Sequence, residues 1–220
     1  MLRRMVKLSA VMEIPSKESL KKREPLNRAL DIVVSTGALL VLAPVFGAIA
    51  ALIWVEDRGP ILFSQQRVGQ EGKCFPFYKF RSMVPNAEAL KKSLQTQNEA
   101  TGPIFKMKKD PRITRIGRTL RRYSLDELPQ LWNVLRGDMS LVGPRPHLPS
   151  EIESCENYPA ERLSVPPGLI CLREVTGRSA LTFEEWIKLD LEYVRTRSFW
   201  LNLSILLRAI PAVLKGDGAY

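Results

Sequence analysis

Residues 32–55 run for 24 positions without a charge, bounded by Asp31 and Glu56. As one straight helix this segment would span about 36 Å at about 1.5 Å per residue, enough to cross a hydrocarbon core of roughly 30 Å. It starts some thirty residues in and continues into Trp54 and Val55 instead of ending at a small-residue cleavage site, which rejects a cleaved secretory signal. Pro44 sits at its centre. There it removes one amide donor and clashes with the carbonyl of Leu40, so a helix should bend or break between Leu40 and Pro44. Each half then has about twelve residues and reaches about 18 Å. An excess of Lys and Arg marks the cytoplasmic side of a spanning helix. Here Lys17, Lys21, Lys22, Arg23 and Arg28 precede the run, and Arg58, Arg67, Lys73, Lys79 and Arg81 follow it. Two basic flanks fit a re-entrant hairpin that turns back at Pro44 with both ends cytoplasmic. A spanning helix with a mild proline kink fits about equally well.

The remainder reads as one folded domain. Of 220 residues, 45% are hydrophobic and 25% charged, unlike a disordered chain, and 33 Lys+Arg against 23 Asp+Glu leave a net charge of +10. Three separated cysteines, Cys74, Cys155 and Cys171, encode neither a disulfide framework nor a thiolate zinc site. The single histidine, His147, argues against a Ser-His-Asp triad and excludes a two-histidine metal site within the chain. Residues 61–63 and 75–80, around a turn at 69–72, predict a β-hairpin whose second strand Pro76 confines to an edge. Residues 87–97 predict a polar helix, 98–102 a loop and 181–195 a helix. Residues 199–214 predict an apolar helix that either lies on a membrane surface or packs in the core.

The chemistry concentrates in residues 106–146. Lys106, Lys108, Lys109, Arg112, Arg115, Arg118, Arg121 and Arg122 put eight cations in seventeen residues against one anion, Asp110. Arg112, Arg115, Arg118 and Arg121 recur every third residue, a drifting helical stripe that suits phosphates. A stripe over anionic lipid headgroups is the competing reading. Nucleic acid is disfavoured by the lack of stacking aromatics among these arginines. Ser124 with Glu127 three residues on is a capping box, taken alone no more than a helix start. Pro129 lies slightly deep for that start, which moves it to Asp126 or Glu127. Either start leaves two carboxylates at a helix N-terminus beside arginines, a place suited to phosphate and its accompanying Mg2+. In Gly143-Pro144-Arg145-Pro146, two prolines stiffen the backbone around Arg145, which presents its guanidinium at small entropic loss or simply makes a rigid turn.

Together, the proline-interrupted apolar segment, Lys79-Phe80-Arg81-Ser82-Met83, Ser124-Leu125-Asp126-Glu127-Leu128-Pro129-Gln130, Gly137-Asp138-Met139-Ser140 and Val142-Gly143-Pro144-Arg145-Pro146 resemble the bacterial sugar transferases, or monotopic phosphoglycosyl transferases. The similarity runs in order from about Leu26 to Tyr220 and is to the small form with only the catalytic core. It implies an α+β fold: a re-entrant membrane helix-hairpin joined to a compact cytoplasmic domain, mainly helical, with a small β-hairpin and interfacial amphipathic helices. The implied organisation is a basic N-terminal segment (1–28), a re-entrant helix broken at Pro44 (29–57) and a catalytic domain (58–220) on the cytoplasmic face of the bacterial inner membrane. The implied reaction moves a sugar-1-phosphate from a UDP-sugar to polyprenyl (undecaprenyl) phosphate and releases UMP. It begins exopolysaccharide or other surface-glycan assembly, with downstream glycosyltransferases as partners, no nucleic acid, and a homo-oligomer left open.

By position, the resemblance makes Asp126 the nucleophile of a covalent aspartyl-phosphosugar and Glu127 its neighbour in holding Mg2+. Lys79, Arg81, Arg121, Arg145 and Arg178 match basic, substrate-binding positions, and Asp190 a recurrent acidic one. Two departures stand out: Ala43-Pro44 where Ser-Pro is frequent, and Arg173-Glu174 where an aromatic and an amide are frequent, which bears on base or sugar recognition. A carboxylate of ordinary pKa, about 4, is ionised at neutral pH, so Asp126 would need no general base. A P-loop kinase is rejected because Gly-x-x-x-x-Gly-Lys-[Ser/Thr] is absent. The alternative that stays is a membrane-tethered basic scaffold that binds anionic lipid or a partner without catalysis.

Overall fold

The computed structural model describes residues 24–176 and 181–215. Helix α1 (Pro25–Val41) opens with a proline in its first turn, where the missing N–H costs nothing, and ends at Leu42. Helix α2 (Ala43–Asp57) follows at once, with Pro44 in its own first turn, so the proline starts a second helix at a bend of 60°. Among the described residues no single helix is long and apolar enough to cross a membrane, although this bent pair passes that test jointly.

Helix α1 is packed with its polar side inward. Asn27, Asp31 and Ser35, four residues apart, are buried along one stripe of α1, while Leu40 and Val41 stand 72% and 77% exposed. Asp31 accepts hydrogen bonds from Ser140 Oγ at 3.0 Å and from the Leu141 amide at 2.9 Å. Arg28 donates to the carbonyls of Val134 and Leu135, both at 2.7 Å. Helix α2 buries Ile49 and Ile53 but leaves Leu52, Trp54 and Val55 exposed. The exposed side of the pair is thus largely apolar.

Strands β1 (Leu62–Val68) and β2 (Cys74–Phe80) form an antiparallel hairpin with Leu62 opposite Phe80 and Val68 opposite Cys74. Pro76 sits on the outer edge of β2, as expected, and Asn133 takes the place of a third strand there. Its side chain donates to the Pro76 carbonyl at 2.7 Å and accepts from the Tyr78 amide at 3.2 Å. The polar helix expected over 87–97 is shorter: α3 (Ala87–Lys91) gives way to a single tight turn at Gln95–Gln97. Helix α4 (Arg115–Arg122) is capped by Thr114, whose hydroxyl accepts from the Gly117 amide at 2.9 Å. Helix α5 (Gln130–Arg136) ends on Gly137 at φ 89°, a left-handed position that glycine adopts without strain.

A second small sheet was not anticipated: β3 (Ser140–Val142) pairs in parallel with β4 (Gly168–Ile170). It requires glycine, because a Cβ on Gly168 would stand 2.0 Å from the Gly143 nitrogen. Between them lies α6 (Pro149–Glu153), and after them come α7 (Leu172–Thr176), α8 (Phe183–Thr196) and α9 (Phe199–Lys215). A capping box of Thr182 and Glu185 starts α8. The main core joins Phe75 and Phe77 of β2, Leu131 and Val134 of α5, Leu141 and Val142 of β3, Tyr193 and Val194 of α8, and Ile205 of α9. The core reading of the last helix holds for Ile205 and Ala209, whereas Trp200, Leu207 and Ile210 are exposed. The mixed helix-and-strand class agrees with the expected α+β fold.

Candidate active site

Asp126 and Glu127 lie on a tight turn, Leu125–Glu127, that precedes α5. The expected capping box is absent. Ser124 adopts a left-handed conformation, φ 54°, its side chain caps nothing, and the helix begins later, at Gln130. The turn projects both carboxylates into a cavity of about 270 Å³. Lys79 at the end of β2, Arg121 from α4, Arg145 from the proline-flanked loop, and Arg173 and Glu174 from α7 line the same cavity. Ile104, Phe105, Met107 and Met83 give it an apolar side.

The charges are unevenly partnered. Glu127 Oε1 takes a hydrogen bond from Lys79 Nζ at 2.8 Å and one from Arg145 Nη2 at 2.7 Å, with Arg145 Nη1 at 3.4 Å from Oε2. Arg145 Nη1 also stands 3.8 Å from Glu174. Asp126 is more buried than Glu127 yet accepts no hydrogen bond among the described residues; its nearest cation is Lys79 Nζ at 3.9 Å. Burial and the neighbouring Glu127 charge push the Asp126 carboxyl above the usual range, against the pull of Lys79. This corrects the expectation of an ordinary carboxylate. Burial acts in the same direction on Glu127, but Arg145 and Lys79 outweigh it and hold that carboxyl well below the usual range. The Glu127 charge in turn fixes Arg145 in its charged form.

The loop that carries Arg145 is held from behind. Arg162 donates Nη2 to the Arg145 carbonyl, and Arg67 donates to the Pro146 carbonyl at 3.0 Å. Arg162 is fully buried and engages Asp190 through Nε at 2.8 Å and Nη2 at 2.7 Å, and the Tyr158 hydroxyl through Nη1. Asp190 thus has a position outside the cavity, behind Arg145. His147 is buried against Tyr158, Phe183 and Trp186, and burial with the nearby Arg162 charge keeps it neutral.

Of the basic residues named from the sequence, Lys79, Arg121 and Arg145 meet at the cavity. Arg81 does not: it is buried in a two-pronged ion pair with Asp57, one contact being 2.6 Å, and ties the end of α2 to β2. Arg178 lies outside the described residues. The regular arginine stripe also breaks up. Arg112 precedes the helix and is buried in a pair with Asp110 at 2.6 Å, while Arg115 and Arg118 face outward. Sequence reasoning missed Arg162 and Arg67, which lie 17 and 79 positions from the carbonyls they hold. No local pattern marks either.

The bacterial sugar transferase family model matches residues 22–216. The chain belongs to the bacterial sugar transferase family. It is 46% identical over 196 residues to a galactosyl transferase, CpsE, of Streptococcus agalactiae, covering 87% of this chain and 43% of that protein. It is 41% identical over 223 residues to an undecaprenyl-phosphate galactose phosphotransferase of Salmonella typhimurium, covering 96% and 45% respectively. Against the exopolysaccharide production protein ExoY of Rhizobium meliloti the identity is 35% over 197 residues, with 88% of this chain and 87% of that one aligned. The chain spans less than half the length of the first two relatives and most of the third. In this family member the five residues Lys79, Arg121, Asp126, Glu127 and Arg145 come from four separate segments: the end of β2, α4, the Leu125–Glu127 turn and the clamped loop.

Proposed function

We propose that the protein transfers a sugar-1-phosphate from a UDP-sugar to polyprenyl phosphate by way of Asp126. The observation that carries this reading is the buried Asp126 carboxylate, which accepts no hydrogen bond among the described residues and faces a cavity walled by Lys79, Arg121 and Arg145. The two relatives above whose names give a sugar specify galactose, while others specify glucose or N-acetylgalactosamine, so UDP-galactose is the first of a panel of donors to try. An Asp126 oxygen attacks the β-phosphorus, the bond from that phosphorus to the bridging oxygen breaks, and UMP leaves with the electron pair. The product is an aspartyl-phosphosugar. An oxygen of polyprenyl phosphate then attacks the same phosphorus, forms the diphosphate and returns the carboxylate. Lys79, Arg121 and Arg145 offset the charge that builds on the phosphoryl oxygens, and Glu127 keeps Lys79 and Arg145 oriented.

The donor set suits Mg2+, which takes one or two carboxylates together with phosphate oxygens and water. Among the described residues Asp126 has its oxygens free of hydrogen bonds, Glu127 stands next to it, and no cluster of three or more candidate metal ligands exists. When bound, the ion would neutralise charge on the diphosphate. The exposed apolar faces of α1 and α2 support a re-entrant anchor at the cytoplasmic membrane, which would keep the cavity at the level where the acceptor's phosphate lies.

The test is retention of label. With UDP-galactose labelled in the sugar and no acceptor, the parent protein keeps radioactivity through denaturation and Asp126→Asn keeps none. If UMP forms only when both substrates are present, or if the asparagine variant turns over near normally, Asp126 does not carry the reaction.

A further inference from the structure

The outer face of α4 is unused by the proposed chemistry. At about 100° per residue, Arg115, Arg118 and Arg122 fall within about 60° of one another around the helix, and all three are exposed. None makes an ion pair or a side-chain hydrogen bond with a described residue. The opposite side of the helix is fixed. Leu120 packs with Ile49 and Ile53 of α2 and with Phe80 of β2, and a Cβ on Gly117 would stand 2.0 Å from the Ser82 carbonyl oxygen.

Helix α4 is also tied to the polar end of the hairpin. Glu56 Oε1 accepts the Arg115 amide at 2.9 Å and the Ile116 amide at 3.2 Å. Nearby, the half-exposed Trp54 ring lies 4.0 Å beneath the Arg58 guanidinium, an aromatic and cation pair suited to the boundary between hydrocarbon and water. A membrane that accepts the apolar outer side of α2 therefore sets the outer face of α4 among headgroups, not in bulk water. Three arginines without a carboxylate partner among the described residues, each able to grip phosphate oxygens with two N–H groups, match anionic headgroups in charge and in shape.

We propose that Arg115, Arg118 and Arg122 dock on the headgroup phosphates of anionic phospholipid. This inference rests on the membrane reading of the hairpin. Docking would fix the depth of α4, and with it the depth of Arg121, which the same helix presents to the cavity.

The full chain is reconstituted into vesicles of phosphatidylcholine alone or mixed with phosphatidylglycerol. It is treated with an arginine-selective dicarbonyl, and each site is read by peptide mass spectrometry. The expected result is that phosphatidylglycerol lowers the reactivity of Arg115, Arg118 and Arg122 about fivefold. High salt should restore it, and Arg195, in its exposed pair with Glu161, should not change. Co-flotation with both vesicle types but equal arginine reactivity overturns the docking and leaves the membrane reading intact. Failure to float overturns both. Equal protection by inorganic phosphate in phosphatidylcholine vesicles assigns the face to free phosphate and also overturns the docking. In the triple variant R115Q/R118Q/R122Q, labelled sugar-phosphate should still be trapped from the donor, while any dependence of acceptor turnover on phosphatidylglycerol should vanish. A dependence that persists unchanged removes these arginines from the contact.

Discussion

Two buried ionic groups lie on either side of Arg145, and they are built differently. Behind it, every guanidinium nitrogen of Arg162 has a partner in Asp190, Tyr158 or the Arg145 carbonyl. In front, Glu127 collects the hydrogen bonds of Lys79 and Arg145 while Asp126, the more buried of the two, receives none among the described residues. The rear group holds shape, with only Asp190 Oδ1 left without a hydrogen bond among the described residues. The front group is left with an unmatched carboxylate and a surplus of cations around an open cavity, an arrangement that costs stability until something occupies it. The difference separates a scaffold from a site without reference to any relative.

The sharpest way to break this comparison is Asp126→Asn. Removing a nucleophile should lower turnover on the order of 10⁴-fold or more. The sign on stability is opposite to that of an ordinary ion pair. The folded Asp126 carboxyl lies above its unfolded value, so ionisation is penalised by folding, and the penalty is fully present once pH exceeds the folded pKa. At neutral pH the asparagine variant should therefore melt no lower than the parent, and higher if the carboxylate is ionised there. A fall in melting temperature would move Asp126 into the scaffold.

Burial raises the Asp190 carboxyl as well, but Asp190→Asn should lower stability, because Asp190 is the hydrogen-bonded partner of the buried Arg162 guanidinium. The substitution strips the charge partner from a buried arginine, which typically costs about 3–5 kcal/mol, so thermal unfolding in detergent should shift downward by roughly 10 °C. Activity at a temperature where the variant stays folded should fall far less than for Asp126→Asn, and mostly through kcat, because Arg145 is displaced and not lost. A wild-type melting curve would show that the rear group is not what holds the loop.

The pH profile sharpens the comparison further. If the reactive form is the Asp126 carboxylate, the acid limb of kcat/KM should sit above the value for a free aspartate, about 4, because burial and Glu127 both resist ionisation. Activity then rises with pH through that limb. A limb at or below the free value would mean that the cavity is wetter than its geometry implies.

How much of this was legible beforehand follows from how local each feature is. The hairpin strands, the break near Pro44 and the pairing of Asp126 with Glu127 are encoded within a few residues, and the chain displays them as alternation, a proline and adjacent acids. The convergence of Lys79, Arg121 and Arg145 on one cavity was read only through motif resemblance, since nothing in spacing brings residue 79 beside residue 145. The arginine stripe misled because regular spacing does not say where a helix starts: Asp110 captures Arg112 before α4 begins. Equally hidden was the buried polar stripe of α1, where Asp31 reaches Leu141 across 110 positions. An uncharged run reads as a lipid-facing helix throughout, and only the fold reveals which side faces protein.

The smallest effect belongs to Tyr158→Phe. The ring should stay, since Tyr158 is buried and its edge packs against His147 at 5.7 Å between centroids. Only the hydroxyl that accepts from Arg162 Nη1 is lost, which leaves one buried guanidinium nitrogen without an acceptor. Losing a hydrogen bond to a charged group costs about 1.5–3 kcal/mol, toward the lower end where other partners of the same group survive. Arg162 keeps Asp190 and the Arg145 carbonyl, so the loop should hold its position. The melting temperature should drop by roughly 3–6 °C while kcat and the donor KM stay within about twofold of the parent. A loss of activity as large as that of Asp190→Asn would mean that Tyr158 reaches the reaction through something other than stability, and the division between scaffold and open site would have to be redrawn to include it.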